Sequence, residues 1–468
     1  MSKRILFVSG ANGLDILMYK ICNQLSKVIP LKPYFVSLIN RNDHFFLKNS
    51  IKKEDILNLS LPNFKDKKLK PNLKFLKSKE EEYDLNLWHI WSIYLLRKKN
   101  RFRIKEDCAL LYMEKTIAKI ESFLDEKKIR YLILFGPAGI PAFLLQKISE
   151  KKGVKIIELY NSRLTNRFTI KEGDKGEIKE LTKEYEQIKS KILNNEKVNL
   201  DKAKKFLSNL IEKKPVPDSK KKYILSFRGK VKLFAYYLNI IIKDMKIPDL
   251  TFLVDKIKKK IIYLKTNFHN PNENEKFFFF PLHAQPEVST LYYGRWHINQ
   301  DNLIELIARS LPVGYLLYVK ENDLYMGKRD LNFLNKIGRH PNIRIISPKK
   351  NTFNLISNCS MLFTITGTAG WEALLLNKKV FTFGDVFYNI SKNVTNVKDI
   401  FNLPELIKKE ISYETDQKDN LILLQAMLNI SSFGLIRAPG DCNHASLENQ
   451  NITLLSIKIE QFISKNNG

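Results

Sequence analysis

The chain alternates short apolar runs with amphipathic stretches, which is the pattern of a parallel α/β sheet. In the first half, an apolar run at 4–9 precedes an amphipathic stretch at 14–25, and a second apolar run covers 33–39. The same order returns with apolar runs at 131–136 and 154–160. Strand, glycine turn and helix in this order open a doubly wound fold. We therefore predict an α/β, Rossmann-like doubly wound domain in this half.

The second half repeats the pattern, starting from four consecutive phenylalanines, Phe277 to Phe280, which indicate a strand buried on both faces. Further strands are predicted at 315–321, 342–347, 361–366 and 380–384, with helices at 302–311, 352–358 and 371–376. The crossover rule makes the connections right-handed. We predict a second Rossmann-like domain here, and we expect the two domains to face one another across a cleft.

Composition changes in the middle of the chain, where the segment 266–276 is rich in Asn, Pro and charge and is interpreted as a linker. The predicted domains are an N-terminal domain at 1–270, a C-terminal domain at 271–445 and a C-terminal helix at 446–468 that we expect to pack back on the N-terminal domain. Helical insertions are predicted in the N-terminal domain, at 85–96, 107–127, 142–152, 172–214, 228–246 and 250–264.

The charge of the chain is strongly positive, with a formal net value of +30 over 468 residues. Such a charge attracts nucleic acid, an anionic membrane leaflet or acidic polymers. The lysines are spread along the chain, and no arginine cluster or nucleic-acid-binding motif accompanies them. We therefore predict no nucleic-acid partner and leave an anionic membrane surface or an anionic polymer open.

The N-terminal residues form a strand rather than a signal peptide, and no apolar stretch approaches the length of a membrane span. We therefore expect a cytoplasmic protein, with a peripheral position on the inner face of the cell membrane left open. The four cysteines are scattered and lack zinc-ligand spacing, which favours a reducing compartment and argues against structural zinc. They are Cys22, Cys108, Cys359 and Cys442.

The loop that follows the phenylalanine strand carries the first group of candidate site residues. His283, Gln285 and Glu287 come within seven residues of the strand end, between and beside Pro281 and Pro286. Proline fixes its own φ, so these polar groups are held in place. In open α/β sheets the ligand crevice lies at the carboxyl ends of the strands. A catalytic loop and a plain polar connection both fit at this point.

Two further strand ends carry the candidate donor-binding residues. Hydroxyl and backbone N–H groups at the start of a helix favour a phosphate, although a plainly capped helix would have the same residues. Glu372 is predicted to lie in the first turn of this helix, where it can accept hydrogen bonds from sugar hydroxyls. The candidates are Thr366, Gly367, Thr368, Ala369, Trp371 and Glu372 at the helix start, and Lys320, Glu321 and Asn322 at the end of the strand at 315–321.

The segments FPLHAQPEVST, LYVKEN and TITGTAGWEALLLNKKVFTFGDVFY resemble glycosyltransferases of bacterial capsule polysaccharide synthesis. That group includes retaining β-Kdo transferases, which use CMP-Kdo and have the two-domain GT-B architecture. The resemblance covers about residues 276–390 and implies that Gln285 and Glu287 face the reacting sugar. The family often has His-Pro after its Lys-Glu pair, where it contacts the cytidine phosphate, whereas this chain has Asn322-Asp323, so a CMP-linked donor is left open.

The implied chemistry fits these residue types. Transfer from an activated sugar passes through an oxocarbenium-like centre, which Glu287 would stabilise or attack, or Glu287 would act as general base. His283 would bind phosphate or donate a proton. Arg295 and Lys320 would neutralise the leaving phosphate. No DxD pair follows a strand, so we predict no metal and no cofactor besides the nucleotide-sugar substrate.

The sequence therefore predicts a metal-independent glycosyltransferase that moves a sugar, Kdo or another acidic sugar, from a nucleotide donor to a surface polysaccharide or glycolipid. The C-terminal domain would bind the donor and the N-terminal domain the acceptor. A polyol-phosphate transferase of teichoic-acid type and a non-catalytic nucleotide- or glycan-binding protein remain alternatives. A sugar-nucleotide epimerase needs more acidic and histidine groups than His283 and Glu287 provide.

Overall fold

The structure is a computed structural model. It describes residues 2–10, 13–38, 40–60, 70–98, 105–136, 139–173, 176–213, 251–272, 274–285, 287, 289–322, 325–326, 329, 332–439, 442 and 444–466. The chain forms two compact units, the first made of 1–187 and 426–468 and the second of 188–425. The first unit is therefore discontinuous in sequence.

The first unit contains a seven-stranded sheet with the order β13-β6-β5-β4-β1-β2-β3. The five strands from β5 to β3 are parallel, while β6 and β13 add an antiparallel edge. The strands are β1 (Lys3–Val8), β2 (Leu31–Ser37), β3 (Ile56–Asn58), β4 (Tyr131–Leu134), β5 (Lys155–Asn161), β6 (Arg167–Lys171) and β13 (Ser432–Phe433).

Helices cover both faces of this sheet, because its central strands are apolar on both sides. In β1, Leu6 packs into the core on one face and Phe7 into the core on the other. The second of these cores includes the contact between the first and last helices. The helices are α1 (Leu14–Leu25), α2 (Asn40–Lys48), α3 (Leu73–Tyr83), α4 (Leu87–Lys98), α5 (Glu106–Lys127), α6 (Ile140–Lys151) and α16 (Asn449–Lys465).

The second unit contains a six-stranded, wholly parallel sheet with the order β12-β11-β10-β7-β8-β9. The strands are β7 (Phe277–Pro281), β8 (Leu316–Lys320), β9 (Ile343–Ile346), β10 (Met361–Thr364), β11 (Lys379–Thr382) and β12 (Val394–Asn396). The helices are α8 (Asp201–Lys213), α9 (Thr251–Lys265), α10 (Gln300–Ser310), α11 (Phe333–Ile337), α12 (Thr352–Asn358), α13 (Thr368–Leu375) and α14 (Leu403–Glu410). The divisions between the units fall in α7 (Lys179–Leu193) and α15 (Gln417–Ile430).

The phenylalanine strand β7 lies in the middle of this sheet, between β10 and β8. All four phenylalanines are buried, with Phe278 and Phe280 in the core on one face and Phe277 stacked on Tyr318 at 3.9 Å on the other. The three neighbouring strands run parallel, so their carboxyl ends lie side by side. We call this carboxyl-terminal side of the sheet its carboxyl edge. That edge brings the predicted site segments together.

The predicted fold class, α/β with two Rossmann-like domains, is confirmed by the two sheets. The boundaries differ from the predicted division at 270/271. Within the segment interpreted as a linker, the His269 N–H donates to the Ile345 carbonyl at 2.9 Å and His269 forms a parallel bridge with Ile346, so this segment extends the second sheet. The helix predicted at 228–246 lies outside the described residues. The acceptor and donor roles of the domains stay predictions.

Candidate functional site

His283 joins the end of β7 to the end of β10. Its Nε2 lies 3.1 Å from Thr364 Oγ1 and accepts the backbone N–H of Thr366 at 3.3 Å. The residue is only 7% exposed, and burial, followed by the nearby charge of Arg329, lowers the pKa of His283 to about 3. The imidazole is therefore neutral at physiological pH. Because Nε2 accepts a hydrogen bond, the ring proton is on Nδ1.

Two buried polar atoms of this edge have no hydrogen-bond partner within the described part of the chain. They are His283 Nδ1 and Thr366 Oγ1. A buried donor left unsatisfied costs about 1–3 kcal/mol. Most buried polar atoms of folded proteins have a hydrogen-bond partner, and a bound ligand can supply it. These two atoms mark the edge as a candidate ligand site.

The helix α13 begins directly beside these atoms, and no side chain caps it. Its N-cap, Gly367, donates its N–H to Thr364 Oγ1 at 3.0 Å and accepts the Tyr388 hydroxyl at 2.6 Å through its carbonyl. The side chains of Thr366 and Thr368 do not act as caps. The N–H groups of the first turn, including those of Thr368 and Ala369, therefore face no capping side chain, which favours an anion at this helix start.

Gly367 is required here for space rather than for its backbone conformation. Its φ of −75° is accessible to any residue. A Cβ at this position would lie 2.7 Å from Thr364 Oγ1 and 2.9 Å from His283 Nε2. The turn can therefore approach the imidazole this closely only without a side chain at position 367.

The end of β8 holds the same loop through a buried ion pair. The Glu321 carboxylate pairs with Arg329 and accepts the Asn322 N–H at 2.8 Å, while Arg329 also donates to the His283 carbonyl. Burial raises the pKa of Glu321. Lys320 is buried, and its carbonyl accepts the Leu282 N–H at 2.9 Å. Glu321 thus has protein partners, and Arg329 is a site residue that the sequence analysis missed.

Arg329 gave no sequence signal beyond its place in the polar loop after β8. Asp323 replaces the proline of the family's His-Pro pair and lies outside the described residues. Pro286 lies outside them as well. The structure therefore describes the Lys-Glu-Asn part of this strand end and Arg329, but not the residue that departs furthest from the family pattern.

The loop after β7 is fixed by amide and backbone hydrogen bonds at its start. The His283 N–H donates to Gln300 Oε1 at 2.8 Å, and Gln300 Nε2 donates back to the His283 carbonyl at 3.2 Å. Gln285 Nε2 donates to the Ile298 carbonyl at 2.7 Å. Glu287 is exposed, and its carbonyl accepts the Leu291 N–H at 3.0 Å. Gln285 is thus a bracing residue in this structure, while the Glu287 carboxylate reaches the surface.

The far end of the loop returns to the same sheet edge. The Tyr293 carbonyl accepts the Asp385 N–H at 2.8 Å, just beyond β11. A Cβ at Gly384 would lie 2.6 Å from that carbonyl and 2.7 Å from Thr366 Cγ2. Glu287 lies between the two anchored ends of the loop.

Tyr325 is influenced by Glu287. Burial, and next the negative charge of Glu287, raise the pKa of Tyr325, so the Tyr325 hydroxyl stays protonated.

The remaining candidates point elsewhere. Arg295 is exposed, with its guanidinium 5.5 Å from the Trp296 ring centroid. Trp371 is buried against Phe387, with ring centroids 5.2 Å apart. Glu372 is half-buried and is the fifth residue of α13, not a first-turn residue as predicted, because the helix begins three residues earlier than the predicted 371. The structure thus gathers His283, Thr366 and the Gly367 turn.

Comparison with protein families gives one match, to the family described as "Capsule polysaccharide biosynthesis protein", over residues 240–397. This stretch is similar to that family. It comprises 158 of the 468 residues and includes β7 to β12. The resemblance recognised in the sequence is confirmed over this capsule-biosynthesis region, which contains every predicted site residue.

A curated relative is Protein FixF of Sinorhizobium fredii, which is 28% identical over 129 residues. The match covers 27% of this chain and 31% of FixF, so this chain spans less than a third of that relative's length.

Solved structures with a similar fold include two from Thermosulfurimonas dismutans. KpsC beta Kdo 2,7 transferase is 11% identical with a TM-score of 0.35, covering 81% of this chain and 97% of its own. KpsC beta Kdo 2,4 transferase is 15% identical with a TM-score of 0.33. The match covers 65% of this chain and 82% of the transferase chain. The UDP-bound MnaA of S. aureus is 12% identical with a TM-score of 0.30, covering 99% and 96%.

Among the described residues, no helix has the length and apolar character needed to cross a bilayer. Their His, Cys, Asp and Glu side chains form no cluster of three or more suited to a metal ion.

Proposed function

We propose that this protein is a glycosyltransferase of capsule synthesis, which moves a sugar from a nucleotide-activated donor to a surface polysaccharide or glycolipid. The observation that carries the proposal is the pair of buried atoms without partners, His283 Nδ1 and Thr366 Oγ1, beside the uncapped start of α13. This edge lies within the capsule-biosynthesis region.

The donor phosphate would bind at the start of α13. The first-turn N–H groups, the Thr366 hydroxyl and the Nδ1–H of His283 are all neutral donors, and such preorganised dipoles stabilise the charge that develops on a leaving phosphate. With a pKa of about 3, His283 stays neutral near pH 7 and would serve as a hydrogen-bond donor to phosphate rather than as an acid. Lys320 and Arg295 remain proposed electrostatic partners of the donor.

Glu287 is the proposed catalytic carboxylate. The oxygen of the acceptor hydroxyl would form a bond to the anomeric carbon, and the bond from that carbon to the phosphate oxygen would break. In a direct displacement the hydroxyl proton passes to Glu287; in a double displacement Glu287 first bonds to the anomeric carbon as the phosphate leaves, and the acceptor hydroxyl then displaces Glu287 while its proton passes to the released phosphate. The exposure of Glu287 fits either role, because both partners must reach it from solvent.

The donor site is tested by thermal unfolding with CMP, CDP, UDP and GDP. A ligand that binds only the native state raises its melting temperature. We expect one nucleotide to do so, and we expect the rise to shrink in Thr366→Val, which removes the hydroxyl and keeps the shape. Thr453→Val on α16 is the matched control. The donor site is wrong if no nucleotide raises the melting temperature, or if Thr366→Val responds as the wild type does.

The catalytic role is tested with Glu287→Gln, which keeps the size of the side chain and removes its charge. Loss of a positioned acid–base group lowers turnover by about 10²–10⁴-fold. We expect that loss in transfer assays, with the nucleotide-induced rise in melting temperature unchanged. Glu305→Gln, on the exposed face of α10, is the control. Near-normal turnover by Glu287→Gln would remove this assignment.

The nucleotide, proposed to be CMP, is identified by the same screen, and the donor sugar, proposed to be Kdo or another acidic sugar, is identified by transfer assays with candidate nucleotide sugars. A product that retains the donor's phosphate would indicate a polyol-phosphate transferase. A nucleotide sugar that binds and is never cleaved would indicate a binding protein.

We also propose that the net charge of +30 holds the enzyme at an anionic membrane surface. Salt should weaken this binding in flotation assays with phosphatidylglycerol vesicles.

A further inference from the structure

The second unit exposes two large aromatic side chains beside the candidate site. Trp296 is 75% exposed and Phe401 is 88% exposed. Each is the middle residue of a short 3₁₀ turn, Arg295–His297 and Ile400–Asn402. Burying a side chain of this size is worth about 1.5–3 kcal/mol, so two such rings held in water by ordered turns need a reason. Exposed aromatic patches mark binding surfaces.

The two turns are connected at the carboxyl edge of the second sheet. The Asp385 N–H donates to the Tyr293 carbonyl at 2.8 Å, and the Asp385 carboxylate lies 3.2 Å from Lys398 Nζ. Trp296 lies three positions after Tyr293, and Phe401 lies three positions after Lys398. At about 3.3–3.6 Å per residue, each aromatic residue lies within roughly 20 Å of Asp385. We call Arg295, Trp296, Asp385, Lys398 and Phe401 the aromatic edge.

The charges of the aromatic edge decide between two kinds of anionic partner. Arg295 lies against the Trp296 ring, and Lys398 is exposed, so cations accompany the aromatic rings. Asp385, which contacts the chain before both turns, is exposed as well. An anionic lipid leaflet would be attracted by the cations and repelled by this carboxylate. An acidic glycan can use both charges, since its acid groups pair with Arg295 and Lys398 and its hydroxyls donate to Asp385.

Sugar rings also present apolar C–H faces that match the flat faces of exposed aromatic side chains, which have an apolar body and low conformational entropy to lose. The net charge of +30 favours an anionic rather than a neutral chain. We propose that the aromatic edge binds an acidic oligosaccharide, several sugar residues long. This inference deepens the proposed function, because a transferase that extends a surface glycan gains from holding the chain near the reacting end.

The test measures binding of defined oligosaccharides to the full chain by titration calorimetry. The probes are oligomers of polysialic acid and of polygalacturonic acid, with dextran oligomers of equal length as the neutral probe. We expect an acidic probe to bind and dextran to bind at least tenfold more weakly. Trp296→Ala and Phe401→Ala should each weaken binding of the acidic probe by about tenfold, the loss typical of an interface hot spot.

The matched control is Trp88→Ala, since Trp88 is a half-exposed tryptophan of the first unit. The proposal is overturned if neither acidic probe binds the wild type, if dextran binds equally well, or if Trp296→Ala binds as the wild type does. It is also overturned, in favour of a membrane surface, if the two variants lose binding to phosphatidylglycerol vesicles and keep binding to the acidic probes.

Thermal unfolding with nucleotides separates this proposal from the proposed function. We expect Trp296→Ala to keep the nucleotide-induced rise in melting temperature, because it removes only an exposed ring and leaves Arg295, the proposed donor partner on the same turn, in place. If no nucleotide stabilises the wild type but the acidic probe binds through Trp296, the proposed donor site fails and the glycan surface stands.

Discussion

The two units contain the same local motif at the edges of their sheets, and its glycines serve different purposes. In the first unit, β4 leads through Gly136 and Gly139 into α6; in the second, β10 leads through Gly367 into α13. Neither helix has a side-chain cap. Gly136 and Gly139 have φ values of 107° and 105°, which other residues rarely adopt, whereas Gly367 has an ordinary φ and lacks room for a Cβ.

The polar groups beside the two turns differ as well. In the first unit, Glu158 and Lys171 form a fully buried ion pair at 2.7 Å, and Lys171 Nζ also donates to the Gly173 carbonyl at 3.0 Å. In the second unit a buried ion pair of Glu321 with Arg329 is accompanied by two buried neutral donors without partners in the described chain, on His283 and Thr366. Both units pair these buried charges internally, and in the second unit the Thr366 hydroxyl also adjoins a helix start that no side chain caps. A shared motif in sequence therefore does not imply a shared role.

The largest effect expected from this comparison is in the first unit. Lys171→Met would leave the buried Glu158 carboxylate without its counter-charge, and breaking a buried pair on one side costs about 3–5 kcal/mol. Urea unfolding should show this loss, and the double variant Lys171→Met/Glu158→Leu should recover most of it. The control Lys152→Met removes an exposed pair with Asp125 and should change stability by less than about 1 kcal/mol. Equal effects from Lys152→Met and Lys171→Met would contradict the internal role of the pair.

The next effect separates the two kinds of glycine. Gly367→Ala forces a Cβ against Thr364 and His283, and Gly139→Ala forces an unfavourable φ; each should destabilise by about 1–3 kcal/mol. Only Gly367→Ala should also abolish the nucleotide-induced rise in melting temperature. If Gly139→Ala abolishes that rise to the same degree, the phosphate site has been placed in the wrong unit.

The smallest effect is a pH dependence due to His283. Its pKa is about 3 in the folded protein against 6.5 for the free side chain, so the depressed pKa contributes stability that is complete above pH 6.5 and is lost as the pH falls toward 3. Between pH 7.5 and 5.5 the loss is about 1.4 kcal/mol by linkage. We expect His283→Asn to reduce this slope in urea unfolding, while His44→Gln, on the exposed face of α2, leaves it unchanged. A wild-type slope in His283→Asn would show that the ring is not buried as described.

The elements that the sequence predicted well are those with a strong apolar period. The helix at 14–25 and the helix at 352–358 have the predicted bounds, and β7 extends the predicted phenylalanine strand by one residue. The predictions missed β3, β6, β12 and β13, which have two to five residues and lack a long apolar run. Such strands exist because a neighbouring strand offers them hydrogen bonds, and no local pattern reveals that.

The candidate site was predictable in its segments and not in its details. His283 and the turn at 366–367 stood out, because polar groups directly followed apolar strands. The start of α13 was set three residues too late, since glycine and threonine usually favour a turn. The bracing by Gln300 and Arg329, and the burial that keeps His283 neutral, depend on which side chains meet across three strands. Spacing along the chain carries no such information.

The strand β13 and the helix α16 have a consequence for how the protein is made. Both come from the segment after 425, yet β13 pairs with β6 and α16 packs on α1. On the ribosome, domains generally fold as they emerge. The first unit therefore cannot complete its fold when its N-terminal residues emerge. Its strand β6 lacks β13, and its helix α1 lacks α16, until the whole second unit has been translated.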